Sequence, residues 1–157
     1  MKIQFTIHGE PFGKLNMQPR MIHGHAIAFS PKKNSEYMER IISILNNIPE
    51  VANHVGVIFE KNTPVYITIV AYYKVPDSHY KFYKKTKEWK YDKEGSDMLA
   101  GLIKPTKKPD LDNISKVICD AISHQGGIWH DDSQITSEML SKHYSDKPRV
   151  EVCIEEG

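Results

Sequence analysis

Five apolar residues at helical spacing, Ile114, Val117, Ile118, Ala121 and Ile122, lie between two pairs of aspartates, and they constrain this chain more than any other feature. Positions i, i+3, i+4, i+7 and i+8 share one face of an α-helix, so burying them requires a core for that face to pack against. Burial then turns the opposite face outward. Asp112 and Lys116, four residues apart, share that outward face. Pro109 stands just before the helix, with Asp110 at its first turn, where free backbone N–H groups favour negative charge. Gly126-Gly127 turns the chain after it and brings Asp131-Asp132 back toward the same place. In an extended segment adjacent side chains point to opposite faces, so only one of Asp131 and Asp132 is expected to join Asp110 and Asp112. Carboxylates repel one another and raise one another's pKa. A chain that gathers four aspartates and a lysine within 23 positions does so mainly where a hard cation neutralises them. A divalent metal and a phosphate-ester substrate are therefore expected.

The remaining chain supplies the core that such a helix needs. Its 157 residues, 39% hydrophobic and 26% charged, suit one soluble domain spanning 1–157. The longest apolar-aromatic run, Val65 to Tyr73, is too short to span a bilayer, and the first residues alternate like a strand without a signal-peptide core. Cys119 and Cys153 stand far apart, which argues against a disulfide framework and for a reducing cytoplasm. No Cys/His set has ligand spacing, so zinc is not expected. The net charge of +1 conceals a division: residues 74–109 hold ten lysines against five acids, and residues 131–157 hold seven acids against three bases.

Ile3, Phe5 and Ile7 alternate as a half-buried strand, followed by a basic loop from Gly9 to Arg20 and a short strand at Ala26 to Phe29. Asn34 or Ser35 is expected to cap a helix carrying Tyr37, Met38, Ile41, Ile42, Leu45 and Ile48, which Pro49 ends. Val65 to Tyr73, apolar on both faces, reads as a central strand. Residues 76–108 are lysine-rich with interleaved aromatics and room for a short helix. Extended chain is expected from about Gln134 to His143, and a last strand at Val150, Val152 and Ile154. This order predicts an α+β fold with a mixed sheet packed by helices.

Each acidic residue alone has a plainer use. Asp110 serves as an N-cap, Asp112 and Lys116 as an exposed ion pair, and Asp131-Asp132 as turn residues. Asp120, four after Lys116, reads as that lysine's structural partner. Lys107 and Lys108 flank the acidic site and would offset its repulsion of a phosphate backbone. Phe82, Tyr83 and Trp89, set among lysines, suit either base stacking or packing in a core or dimer.

The spacing Asp110-Leu111-Asp112-Asn113, Lys116, Asp120, then Trp129 and Asp131-Asp132-Ser133-Gln134, resembles the signature of the RusA family of Holliday-junction resolvases. Gly9-x-Pro11-x-Gly13-Lys14 and Gln18-Pro19-Arg20 resemble that family's basic opening loop, and Lys142 falls where the family often carries a lysine. The resemblance covers roughly residues 3–30 and 105–155; residues 46–104 carry no matching motif. It implies a RusA-like fold and a small homodimeric, often prophage-borne, magnesium-dependent endonuclease of branched DNA in recombination and repair. Manganese suits the same site. The implied catalytic residues are Asp110, Asp112, Lys116 and Asp132. The metal carboxylates are Asp110, Asp112 and, counting back from Gln134, Asp132, with Asp131 in reserve. Lys14, Arg20, Lys107, Lys108 and Lys142 are the implied DNA contacts. Two other readings stay open on the residues alone: a branched-DNA-binding protein without turnover, and a metal-dependent phosphodiesterase acting on flaps or RNA.

Overall fold

The computed structural model describes residues 1–157. The fold is mixed α+β, with one four-stranded sheet whose order is β1-β8-β4-β7. Strand β1 spans Lys2–His8. It is followed by a hairpin of β2 (Gln18–Ile22) and β3 (His25–Phe29), helix α1 (Lys32–Asn46) and the single turn α2 (Pro49–Ala52). Strand β4 (Val65–Lys74) leads into a second hairpin, β5 (Tyr80–Tyr83) and β6 (Glu88–Tyr91), and then α3 (Lys93–Leu99). The chain closes with α4 (Leu111–Gln125), β7 (Ile135–Ser145) and β8 (Arg149–Glu156).

Strand β8 runs antiparallel to β1 on one side and to β4 on the other, while β4 and β7 are parallel. A parallel pair needs a long crossover, and here it contains the second hairpin, α3 and α4. Helices α1 and α4 pack together on one sheet face. Ile41 and Leu45 of α1, Ile114, Val117, Ile118, Ala121 and Ile122 of α4, and Ile67, Ile69, Ile3, Val152 and Ile154 of the sheet form one core cluster. The helical stripe read from the sequence is thus fully buried. Strand β4 is central, as expected, but only its Val65, Ile67, Ile69, Ala71 and Tyr73 side is packed; the Tyr66, Thr68, Val70, Tyr72 side is only partly covered. The second face carries Val70 and the Tyr66 and Tyr72 rings without burying them fully, and the Arg149 guanidinium lies 3.9 Å from the centre of the Tyr72 ring.

Helix α1 begins at Lys32, earlier than expected, because Asn34 does not cap it. The Asn34 side chain is buried and reaches back to Leu15 and Ser30. Pro49 does not simply stop a helix but opens a new turn, where its missing N–H costs nothing. No helix of the protein is long and apolar enough to cross a membrane.

Candidate active site

Helix α4 divides its residues as the periodicity requires. Opposite the buried stripe, Asp112, Lys116 and Asp120, with the buried Ser115 and Cys119 at its edge, line a cavity of about 620 Å³. Its far wall is the start of β7, with Ile135, Thr136, Ser137, Glu138 and Leu140, and Asp132 completes it. Asp112 and Asp132, twenty positions apart, therefore face one space, with the Lys116 ammonium 3.4 Å from Asp112 Oδ2.

Asp131 and Asp132 part company because of a turn. Residues Asp132–Gln134 form one 3-10 turn that Asp131 caps, its Oδ2 accepting from Ser133 N at 3.0 Å. The Ser133 hydroxyl and backbone N–H hold the Asp131 carboxyl below its usual pKa. Gln134 locks the turn: its Oε1 accepts from His130 N at 2.8 Å, while its Nε2 donates to Glu60 O at 3.0 Å and Thr63 O at 3.1 Å. Asp131 faces a different cavity, shared with Lys61, Asn62 and Gln134. Below the turn, Trp129 is buried and donates from Nε1 to Ser123 Oγ of α4 at 2.8 Å. The two acidic segments are thus fastened to one another through the core.

Asp110 is the residue before α4 but makes no side-chain cap bond, which leaves its carboxylate free of that duty. It lines a separate cavity of about 390 Å³ together with Gly13, Lys14, Lys108 and Asn113. The N-terminal loop approaches α4 closely there: Lys14 N donates to Asn113 O at 2.8 Å, and a Cβ placed on Gly13 would stand 2.7 Å from Pro109 Cβ. Only glycine fits that contact. The loop also carries a correction. Asp120 does not pair with Lys116; its Oδ2 takes the Lys14 ammonium at 2.7 Å, a partner 106 positions away that helical spacing does not reveal.

Of the three carboxylates that the resemblance implies, Asp112 and Asp132 line one cavity beside Lys116 and Asp110 lines another, and residues 8–155 match the family described as endodeoxyribonuclease RusA. The chain belongs to the RusA family. It is also similar to the uncharacterized protein YqaN of Bacillus subtilis (strain 168), with 35% identity over 156 residues that cover 98% of this chain and 96% of that protein. RusA is a family of nucleases, so endodeoxyribonuclease is the class of activity to which the chain is assigned.

The donors around the RusA-family cavity suit a hard cation. They are carboxylates and hydroxyls, apart from Cys119. Burial pushes the Cys119 thiol up to about 12, against the lowering effect of the Ser115 hydroxyl. No three acidic, imidazole or thiol groups are gathered closely enough to enclose an ion by themselves. Magnesium does not ask for that. It keeps several waters and takes one or two carboxylates together with substrate phosphate oxygens. Asp112 and Asp132 fit such a share.

Sequence reasoning missed Glu138 and Ser115. Glu138 lines the same cavity from β7 and accepts from the buried Ser115 Oγ at 2.5 Å. No local pattern singled them out, because β7 does not alternate between buried and exposed residues. The expected DNA contacts scatter. Lys14 and Lys108 share the Asp110 cavity. Lys142 donates to Lys107 O at 2.8 Å and lies over the Tyr73 ring, while the Lys107 ammonium lies 6.0 Å from the Tyr144 ring centre. Arg20 sits on β2 with its guanidinium 5.4 Å from the centre of the Phe29 ring.

Proposed function

We propose that this chain is a magnesium-dependent endonuclease that resolves four-way DNA junctions as a homodimer, with residues 1–157 acting as one endonuclease domain. The observation that carries this reading is the placement of Asp112 and Asp132, from two separate elements, on one cavity beside Lys116. Asp112 and Asp132 would hold the cation, Mg²⁺ or Mn²⁺, while Asp110, the third carboxylate that the resemblance implies, lines the neighbouring cavity with Lys14 and Lys108. When bound, the ion polarises a phosphate oxygen and lowers the pKa of an attacking water. Lys116, on the same cavity, would favour the charge that builds on the phosphorus oxygens. Water adds to phosphorus, one P–O ester bond breaks, and the departing oxygen takes up a proton. Lys14, Lys108 and Arg20 offset the field of the carboxylates by contacting phosphates on either side. A junction has approximate two-fold symmetry and needs two cuts, which a C2 dimer presents together.

The test is direct. Purified protein is mixed with a synthetic four-way junction, a flap, a fork, a linear duplex and an RNA hairpin, with and without Mg²⁺ or Mn²⁺. Paired symmetric nicks in the junction alone are expected. Absence of junction nicking at every metal and pH tried sinks the proposal, and cutting of the flap or RNA in preference redirects it. Asp112→Asn is expected to abolish cleavage while junction binding stays near normal.

A further inference from the structure

The β5–β6 hairpin lies outside everything assigned so far. Residues 75–109 leave the sheet after Lys74 and return at the start of α4, where Tyr73 Oη donates to Pro109 O. Within this excursion the hairpin pairs Tyr80 with Tyr91, Lys81 with Lys90, Phe82 with Trp89 and Tyr83 with Glu88. Alternation therefore puts Tyr80, Phe82, Trp89 and Tyr91 on one face. Three of them are open to solvent: Trp89 is 61% exposed, Phe82 48% and Tyr80 45%. Their rings form a contiguous surface, with Trp89 stacked on Tyr80 at 5.8 Å and tilted against Phe82 at 5.7 Å.

An isolated two-stranded ribbon is marginal in water, and exposed aromatics add to that cost. This one is held at its base instead. Asp92 accepts from Gly95 N at 2.8 Å and pairs with His79 and Lys81, each at 3.1 Å. The backbone N–H of Gly95, with those two side chains, holds the Asp92 carboxyl down at about 2. Above this base, residues 80–91 carry five lysines against the single acid Glu88. Lys84, Lys85 and Lys87 crowd the turn and make no salt bridge, with Lys87 in the left-handed region at φ 56°. A rigid aromatic face edged by unneutralised lysines complements one chemistry: base rings to stack on, with phosphates alongside. An intact duplex buries its base faces. Unpaired bases, as at a branch point or a strand end, expose them.

We propose that the β5–β6 hairpin is a docking arm for unpaired nucleobases, with Trp89, Phe82 and Tyr80 stacking on them and Lys84, Lys85 and Lys87 binding the adjoining phosphates. The proposal deepens the junction reading above and rests on its DNA substrate. Binding is measured by fluorescence anisotropy on the full chain in EDTA, so that no strand is cut, with oligothymidine, a four-way junction and a linear duplex. Trp89→Ala is expected to weaken oligothymidine and junction binding roughly 5-fold to 150-fold, the range seen when a stacking ring is removed, and to leave duplex binding nearly unchanged. Trp89→Phe keeps a ring and should restore most of the loss. Replacing Lys84, Lys85 and Lys87 together by Gln should weaken all three nucleic acids and flatten the salt dependence. Unchanged binding of oligothymidine and junction by Trp89→Ala overturns the arm. So does a switch of that variant from dimer to monomer in sedimentation, which would make the face an interface between copies. Junction cleavage by the parent with Mg²⁺ is scored separately. A parent that fails to cut while Trp89→Ala still loses oligothymidine refutes the nuclease reading and keeps the arm. A parent that cuts, with a variant that binds as well as it does, refutes the arm alone.

Discussion

Adjacent aspartates with different duties are the sharpest residue-scale result. Asp131 spends its carboxylate on a turn, and Asp132 presents its own to the cavity. Two substitutions separate those duties. Asp132→Asn should lower junction cleavage by at least about a hundredfold, more than the loss typical of a group that merely orients a metal ligand, with little change in Tm. Asp131→Ala should leave most cleavage intact and lower Tm by about 2 °C, the scale of a weakened cap in a chain of this size. The pH dependence of that deficit follows from its sign. The folded-state pKa of Asp131 lies below its unfolded value, so its contribution is complete above the ordinary carboxylate pKa and fades as pH falls through the folded value. Thermal melts at pH 7 and pH 3 should show the Asp131→Ala deficit at pH 7 and a smaller one at pH 3. An equal deficit at both would mean that the charge of Asp131 plays no part.

Among the elements, α4 carries both a buried stripe and the Asp112 side of the cavity, and the N-terminal loop that touches it is tied to α1 by one buried amide. Asn34 Oδ1 accepts from Leu15 N at 2.8 Å and its Nδ2 donates to Leu15 O at 2.9 Å, closing a two-point clasp between α1 and the loop that carries Lys14. Asn34→Ala should cost about 1–3 kcal/mol in urea unfolding, because it leaves the Leu15 backbone groups without partners. It should also weaken junction binding more than it slows the cutting of bound junction. The clasp was not legible in the sequence, where Asn34 reads as a helix cap, because the choice between cap and tether depends on a residue nineteen positions back. What was legible follows the same logic. α4, β1 and β8 each bury one face, so hydrophobic periodicity announces them, while β4 is announced by its unbroken apolar-aromatic run. The β2–β3 and β5–β6 hairpins bury neither face; β3 is expected as a short strand at Ala26 to Phe29, but Gly9 to Arg20, which overlaps β2, reads as a loop, and residues 76–108, which hold β5 and β6, read as a lysine-rich stretch with room for a short helix. For the site, the sequence set Asp112 and Lys116 on one face of a helix. The Asp132–Gln134 turn and the Lys14–Asp120 pair depend on contacts between distant segments, which no local pattern encodes.

For the whole molecule, the proposed junction cleavage turns on how many such cavities one complex brings to its substrate. A single chain offers one cavity with an Asp112–Asp132 set, whereas a junction must be opened on two strands. If the proposed dimer supplies the second cavity, the two cuts need not be chemically linked; they need only both occur before the complex dissociates. Mixed dimers separate this from action by independent monomers. Parent chain is unfolded and refolded with an excess of Asp112→Asn chain, so that most surviving parent subunits sit beside an inactive partner, and a supercoiled plasmid extruding a cruciform is the substrate. A parent dimer should convert it directly to linear product. The mixed dimer should deliver one cut, release the supercoiling that holds the cruciform open, and accumulate nicked circles. Monomers acting alone would give nicked circles from the parent as well, because the first nick removes the substrate before a second chain arrives. A parent that yields linear product at all protein concentrations, and a mixture that yields nicked circles in proportion to the inactive subunit, is the outcome expected from two cavities held on one two-fold axis.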